Sequence, residues 1–345
     1  GSCRRIYLLS GTQKAIIYKQ YLTTPTQYNK QSYGGPLSLR NKQLELMILN
    51  GGSHSPMQMT HLNSGYGWLG NFGTIIYELS YNNCHSFICE YSVGKILTTS
   101  LSLVYKHTTL QNCLIISSSN ATNLYHFIAE TLPALFVAEL DTPSEYKLAV
   151  PLCPNSNFTQ QLIHILFPNR QVVGYNGVLA LIRYKDCFFA QSLLPSSYSR
   201  EVLREIRAKV IRSLEVKTIC KVIYLRRGSH EGRMLLNEDK ILKILESLGT
   251  SVGIVDTSTT TLIQQIKLIA YAEIIISSHG AQLANCIWSQ KLQHVVEIWP
   301  VLIGAPSMLT TLFGAKHHWL KSIWSESSGH KSSHIIKVNE FREKS

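Results

Sequence analysis

The sequence predicts an α/β fold, on three observations. Short apolar runs alternate with amphipathic stretches of helical period through most of residues 111–300, the rhythm of parallel strands joined by helical crossovers. With 345 residues the chain is long enough for about two domains, each with its own hydrophobic core. Hydrophobic residues make up 45% and charged residues only 16%, a globular composition that excludes disordered and collagen-like chains. No internal repeat or low-complexity tract interrupts it.

Residues 3–110 mix short apolar runs with Gly, Ser, Asn and Tyr, as in Asn50-Gly51-Gly52-Ser53, and read as loops and short strands of uncertain order. From 111 the elements sharpen. Cys113–Ile116 is a buried strand, and Asn123–Leu140 carries apolar residues at helical spacing despite Pro133. Strand Tyr146–Val150, helix Phe158–Phe167 and strand Gln171–Val173 follow. The pattern breaks at Leu193-Leu194-Pro195-Ser196-Ser197, which places a domain boundary near 195–200. Beyond helix Arg200–Val216 the order is strand Val222–Leu225, helix Glu238–Leu248, strand Val252–Val255, helix Thr261–Ala272, strand Ile274–Ser277, helix Ala281–Trp288 and strand His294–Ile298. Such alternation implies a parallel, Rossmann-like sheet with right-handed crossovers.

Ligands of open parallel sheets bind outside the carboxyl ends of the strands, so the residues after each strand are the ones to inspect. After the first comes Arg226-Arg227-Gly228-Ser229-His230-Glu231-Gly232-Arg233, then Asn237-Glu238 opening a helix. Guanidinium forks beside a glycine-bearing loop suit phosphate, although a solvated basic loop reads the same way. The second place is Ser277-Ser278-His279-Gly280-Ala281, a strand-to-helix turn leading to Asn285, where small residues let an anion approach backbone N–H groups. The third is Glu297 in Val295-Val296-Glu297-Ile298-Trp299-Pro300, a carboxylate placed to accept from ribose hydroxyls or simply a surface acid.

These three motifs in this order resemble glycosyltransferase family 61, which includes plant xylan xylosyl- and arabinosyltransferases and animal protein O-linked N-acetylglucosaminyltransferases. Upstream, Asn123-Leu124-Tyr125-His126-Phe127-Ile128-Ala129-Glu130 looks like the family's N-x-x-H-x-x-x-E motif. The resemblance covers roughly residues 112–320. It implies a GT-B architecture, two Rossmann-like domains facing across a cleft, with residues 3–197 on the acceptor side, 198–325 binding the nucleotide sugar and 326–345 a polar C-terminal segment. It implies an inverting enzyme that moves xylose, arabinose or N-acetylglucosamine from a UDP-sugar donor to a hydroxyl of a glycan or protein. Carried over by motif, Arg233 and one of Arg226 or Arg227, Arg227 by preference, contact the diphosphate; Asn237 supports that loop; His279, Gly280, Ala281 and Asn285 shape the donor pocket; Glu297 holds the ribose; and Asn123 lies on the acceptor side. Inversion needs a base on the acceptor hydroxyl, and His126 with Glu130 four residues on, sharing a helical face, is the candidate pair. The other reading makes His126 a core histidine and Glu130 an acceptor ligand. No D-x-D triplet occurs, and arginines with a helix end can neutralise a leaving diphosphate, so no cofactor and metal-independent catalysis are expected. A nucleotide-sugar-binding protein without activity, and a nucleotide-sugar epimerase, are the alternatives on the same scaffold.

The net charge is +12, spread over both halves without a basic tail or an aromatic-interleaved basic face, which favours an anionic small ligand over nucleic acid. The eight cysteines show no zinc spacing, and Cys84 with Cys89 are near enough for a local bridge. No run of apolar residues is long enough to span a membrane. Gly1-Ser2 reads as a cloning scar, leaving room for a natural upstream signal or anchor. The sequons at Asn120 and Asn157 point to a secretory lumen, endoplasmic reticulum or Golgi, with the cytoplasm expected instead for a viral or bacterial source.

Overall fold

The computed structural model describes residues 59–70, 73–78, 83–87, 107–117, 121–153, 156–191, 197–216, 220–228, 233–247, 251–301, 309–325 and 333–337. Two sheets account for most of them, and both lie within the compact unit Ile48–Ser345. The chain is α/β, with parallel strands and helical crossovers in each sheet.

The first sheet has seven strands. β1 (Met59–Gly70), β2 (Gly73–Glu78) and β3 (Asn83–Phe87) form an antiparallel meander. β4 (His107–Ser117), β5 (Lys147–Leu152) and β6 (Val172–Asn176) run parallel. The long β7 (Leu179–Gln191) joins the two groups, antiparallel to β1 and parallel to β4. Along β7, Ile182 and Tyr184 are buried while Arg183 and Lys185 are exposed, the period of two of a strand with one covered face. In β4 and β5 consecutive residues are buried, because helices cover the sheet there. The meander gives an order to the strands expected, without one, among the loops of residues 3–110. Glycines weaken its strand signal, and it is the full-length pairing of β1 with β7 that supplies the backbone partners.

Over that sheet lies α1, which starts as Leu124–His126, widens to a π turn at Phe127–Thr131 and continues as Leu132–Leu140. Asn123 caps it by accepting from the Tyr125 N–H at 2.9 Å. Pro133 has no N–H and crowds the carbonyl four residues earlier, and the π register just before it accommodates that mismatch. Helix α2 (Phe158–Leu166) follows β5, and α3 (Ser197–Ser213) follows β7.

The second sheet is wholly parallel. It contains β8 (Val222–Arg226), β9 (Val252–Asp256), β10 (Ile274–Ser278), β11 (His294–Trp299) and β12 (Lys316–Lys321) in the order β12-β11-β10-β8-β9. Numbered by appearance this is 2-1-3-4-5, compatible with a doubly wound Rossmann-like sheet, and its order reverses between β8 and β10. The crossovers hold α4 (Glu238–Ser247) and α5 (Leu262–Ile269), the latter started by a capping box of Thr261 and Gln264. Residues Ala281–Trp288 wind as a 3₁₀ helix, with the Leu283 N–H donating to Gly280 three residues back. A two-residue hairpin, β13 (Ile323–Trp324) with β14 (His334–Ile335), closes the described chain. Helix α3 packs against α1, α2 and the 3₁₀ helix, so it ties the layers of both sheets together. Among the described residues no helix is long and apolar enough to cross a membrane.

Candidate active site

Strand order reverses between β8 and β10, and it is outside the carboxyl ends of the strands at such a point that open parallel sheets take their ligands. Arg226 and Arg227 stand at the end of β8, and His279-Gly280-Ala281 at the end of β10. The two arginines part ways. Arg226 Nε donates to Glu238 Oε2 at 2.7 Å, whereas Arg227 Nη1 crosses to β10 and donates to the His279 carbonyl at 3.1 Å and to Gln282 Oε1 at 3.2 Å. Gly280 makes that crossing possible: a Cβ there would lie 1.9 Å from Arg227 Nη1. Gln282 in turn donates to the Ser278 carbonyl at 2.9 Å, and Ser277 Oγ donates to the Leu225 carbonyl at 3.1 Å, stitching the strand ends together.

Glu297, near the end of β11, is 1% exposed. One carboxylate oxygen accepts a hydrogen bond from His279 Nδ1, and the other lies 3.0 Å from His317 Nε2. Burial alone pushes this carboxyl up, but its two imidazole partners outweigh that and hold it below the ordinary glutamate range. The ribose role expected for Glu297 therefore falls on a carboxylate enclosed by protein. Two residues on, the buried Trp299 ring lies 5.1 Å from the His279 ring, and the Arg233 guanidinium sits 5.7 Å over the same indole. Arg233 has φ +60°, a left-handed backbone unusual for a residue with a side chain.

The loop carrying Arg233 is sewn to the C-terminal hairpin. Leu235 bridges to His334, and Asn237 holds Ile336 from both sides, donating to its carbonyl at 2.8 Å and accepting from its N–H at 3.2 Å. The segment expected to be merely polar thus supplies the fully buried His334, stacked edge-on against Trp299 at 5.0 Å, and the buried Ile336. Burial depresses the His334 pKa to about 4, aided by the charges of Arg227 and His279 against a backbone contact from Arg233 that raises it. Asn285 lies deeper, donating to Gln265 Oε1 at 2.8 Å, while Ala281 is half-buried at the head of the 3₁₀ helix.

On α1, His126 Nδ1 is 2.9 Å from Glu130 Oε1, the histidine side chain 35% exposed and the glutamate 10%. Glu130 belongs to the π turn and His126 immediately precedes it, and such altered register is a frequent mark of functional sites. The start of α1 packs against the 3₁₀ helix that follows Gly280, so motifs about 150 residues apart in sequence meet across the two sheets. Tyr125, buried between them, has its pKa raised by burial, then by Glu130 and Cys286, which places it at this seam.

Four participants were not foreseen as site residues: Gln282, His317, Trp299 and His334. Trp299 lies within the quoted Glu297 stretch and Gln282 directly follows Ala281, so both could have been found by proximity. His317 and His334 carry no local signal. Residues 229–232 of the arginine loop, Asn120 and Cys89 lie outside the described residues, as does the Cys84 side chain. Among the described residues Cys113, Cys153, Cys187, Cys220 and Cys286 are free thiols, and no group of three His, Cys, Asp or Glu side chains is arranged to hold a metal ion.

No curated protein matches the chain. The family model Glycosyltransferase 61 matches residues 124–296, a span that runs from the first residue of α1 through β8 and the His279 turn into β11. With His126 and Glu130, the arginine loop and the His279 turn inside it, the chain belongs to glycosyltransferase family 61 and is a glycosyltransferase.

Proposed function

We propose that this glycosyltransferase is an inverting, UDP-sugar-dependent enzyme of GT-B organisation, acting on a hydroxyl of a glycan or protein acceptor. The observation that carries the reading is the crossing of Arg227 from β8 to the His279-Gly280 turn of β10, at the switch point where parallel sheets take nucleotides. In this reading Arg227 and Arg233 meet the diphosphate, while Gly280 and Ala281 let it approach the backbone. The acceptor lies toward α1, near Asn123. His126 takes the hydroxyl proton as the acceptor oxygen attacks the anomeric carbon, and Glu130, bonded to Nδ1, orients the ring and stabilises the imidazolium. Arginines rather than a metal offset the charge on the departing diphosphate.

The transferred sugar is xylose, arabinose or N-acetylglucosamine, the donors of the family. The secretory lumen is the proposed location, and the exposed Asn157 of the second sequon, at the start of α2, leaves room for a glycan there.

The test is a thermal-shift screen against UDP, GDP, CMP and UDP-sugars, followed by transfer assays in EDTA. Stabilisation by UDP that is absent in Arg227→Ala, with turnover in EDTA lowered at least about a hundredfold in His126→Ala, is the expected result. Stabilisation without transfer would point to a binding protein, donor conversion without acceptor to an epimerase, and no shift with any nucleotide would remove the donor assignment.

A further inference from the structure

The second sequon, Asn157-Phe158-Thr159, lies across the start of α2, and neither of its polar side chains does what the helix would ask of it. An asparagine just before a helix ordinarily caps it by accepting from a backbone N–H of the first turn. Asn157 makes no such bond: it is exposed, and its Oδ1 accepts instead from Gln161 Nε2, one turn on. Gln161 Oε1 in turn accepts from the Ile263 N–H of α5 at 3.2 Å, so the amide is held by its oxygen and Nδ2 is left over. Thr159 is the opposite case. It is 0% exposed, and its hydroxyl has no hydrogen-bond partner. A buried hydroxyl ordinarily finds one, a helical threonine most simply at the carbonyl a turn back, and an orphaned one opposes folding. The helix would be served as well by valine, whose helix propensity is similar. One chemistry uses both leftover groups: N-glycosylation takes an asparagine amide nitrogen and requires a hydroxyl two residues later.

We infer that Asn157 is an N-glycan acceptor that is filled before α2 docks, and that the Thr159 hydroxyl serves this recognition rather than the fold. The inference rests on the secretory location proposed above. In the folded chain Phe158 and Thr159 are both buried on a helical backbone, with the Phe158 ring 5.5 Å from that of Phe127 in α1. An enzyme that must grip the Thr159 hydroxyl reaches it only while this stretch is undocked, as the chain is being made. The donor is a lipid-linked oligosaccharide diphosphate. Asn157 Nδ2 bonds to its anomeric carbon, the bond from that carbon to the diphosphate oxygen breaks, the electron pair leaves on the diphosphate, and the proton lost from Nδ2 passes to a base of the transferring enzyme. Docking of α2 then encloses the hydroxyl, while the sugar stands in solvent on the exposed Asn157 and Oδ1 still accepts from Gln161.

The test translates the full chain, carrying Asn120→Gln so that Asn157 heads the one N-x-[ST] triplet left, behind a cleavable secretion signal into endoplasmic-reticulum microsomes, followed by peptide-N-glycosidase digestion. The expected result is one glycan that the digestion removes, retained in Thr159→Ser and absent from Thr159→Val and Asn157→Gln. The same chain made in bacteria, folded, and only then offered to solubilised oligosaccharyltransferase with its donor should stay unmodified. Bacterially made Thr159→Val should melt at or above the temperature of the sugar-free wild type, because it replaces an orphaned hydroxyl by a methyl group. A bare nascent chain overturns the acceptor assignment, and a folded chain modified as readily as the nascent one overturns the order of events. A Thr159→Val melting temperature several degrees lower gives the hydroxyl a place in the fold and overturns its reading as a recognition group. Fractionation of the natural source separates site from location. Protein outside the secretory compartments removes the location and leaves the acceptor to the microsomal result; protein inside them with a bare Asn157 overturns the inference and keeps the location.

Discussion

Gly280 is glycine because a guanidinium occupies the space its side chain would need. A Cβ would sit 1.9 Å from Arg227 Nη1 and 2.2 Å from Gln282 Oε1, and both of these are the far ends of flexible side chains. Gly280→Ala should therefore fold, with a melting temperature within a few degrees of wild type, but lose about tenfold or more in UDP affinity as Arg227 is displaced; a calorimetric titration beside a thermal melt checks both halves. His334 has a different consequence. Its folded pKa of about 4 lies below the 6.5 of an ordinary histidine, so the unfolded chain binds the proton more readily. Stability from this residue is thus present above pH 6.5 and is lost as the pH falls toward 4, by about 2 kcal/mol between pH 7 and 5. His334→Gln should flatten that acid limb in urea melts at the two pH values, and an unchanged slope would count against the buried neutral ring. Arg227, His279 and Glu297 were legible because each follows or ends an apolar strand. His317 and His334 were not, since a histidine that reaches a site through a distant strand leaves no periodic trace.

Elements show how such residues are held. Helix α1 carries His126 at its start, and Arg170 secures its other end. The Arg170 guanidinium pairs with Glu139 Oε1 at 2.9 Å and donates to the carbonyls of Glu139, Thr142, Pro143 and Tyr146, capping the helix and the turn into β5. Its side chain is 8% exposed and that of Glu139 22%, so Arg170→Ala would leave a partly buried carboxylate and several carbonyls without their donor at a cost of about 2 kcal/mol. Arg170→Lys, lacking the planar fork, should recover less than half of that in denaturant melts. UDP affinity of the folded fraction should be unchanged in both, because the damage lies at the far end of α1. The helical span 123–140 could be read from its periodicity. The π turn inside it could not, because it answers the local conflict between Pro133 and helix continuity. Likewise the period of Ala281–Trp288 announced a helix but not its 3₁₀ winding, since buried residues on nearly every side erase the signal that tells the two apart.

At the scale of the whole molecule, the net charge of +12 sets up a positive field around a site that already gathers Arg227, Arg233 and His279. Association with a UDP-sugar should accordingly slow as salt rises, kcat/KM falling several-fold between about 50 and 300 mM sodium chloride while kcat stays nearly level; stopped-flow or initial-rate data at a series of ionic strengths test it. The alternation of strand and helix, the motifs at the strand ends and the family they resemble were all determined by the sequence itself, because local period and turn chemistry need no distant partner. Tertiary structure alone decided which of two adjacent arginines crosses to β10, that Glu297 is enclosed by two imidazoles, and that a polar-looking C-terminal stretch delivers His334 beneath Trp299. Each of those outcomes depends on residues brought together by sheet order across about 20 to 50 positions of chain, and neither composition nor spacing encodes that order.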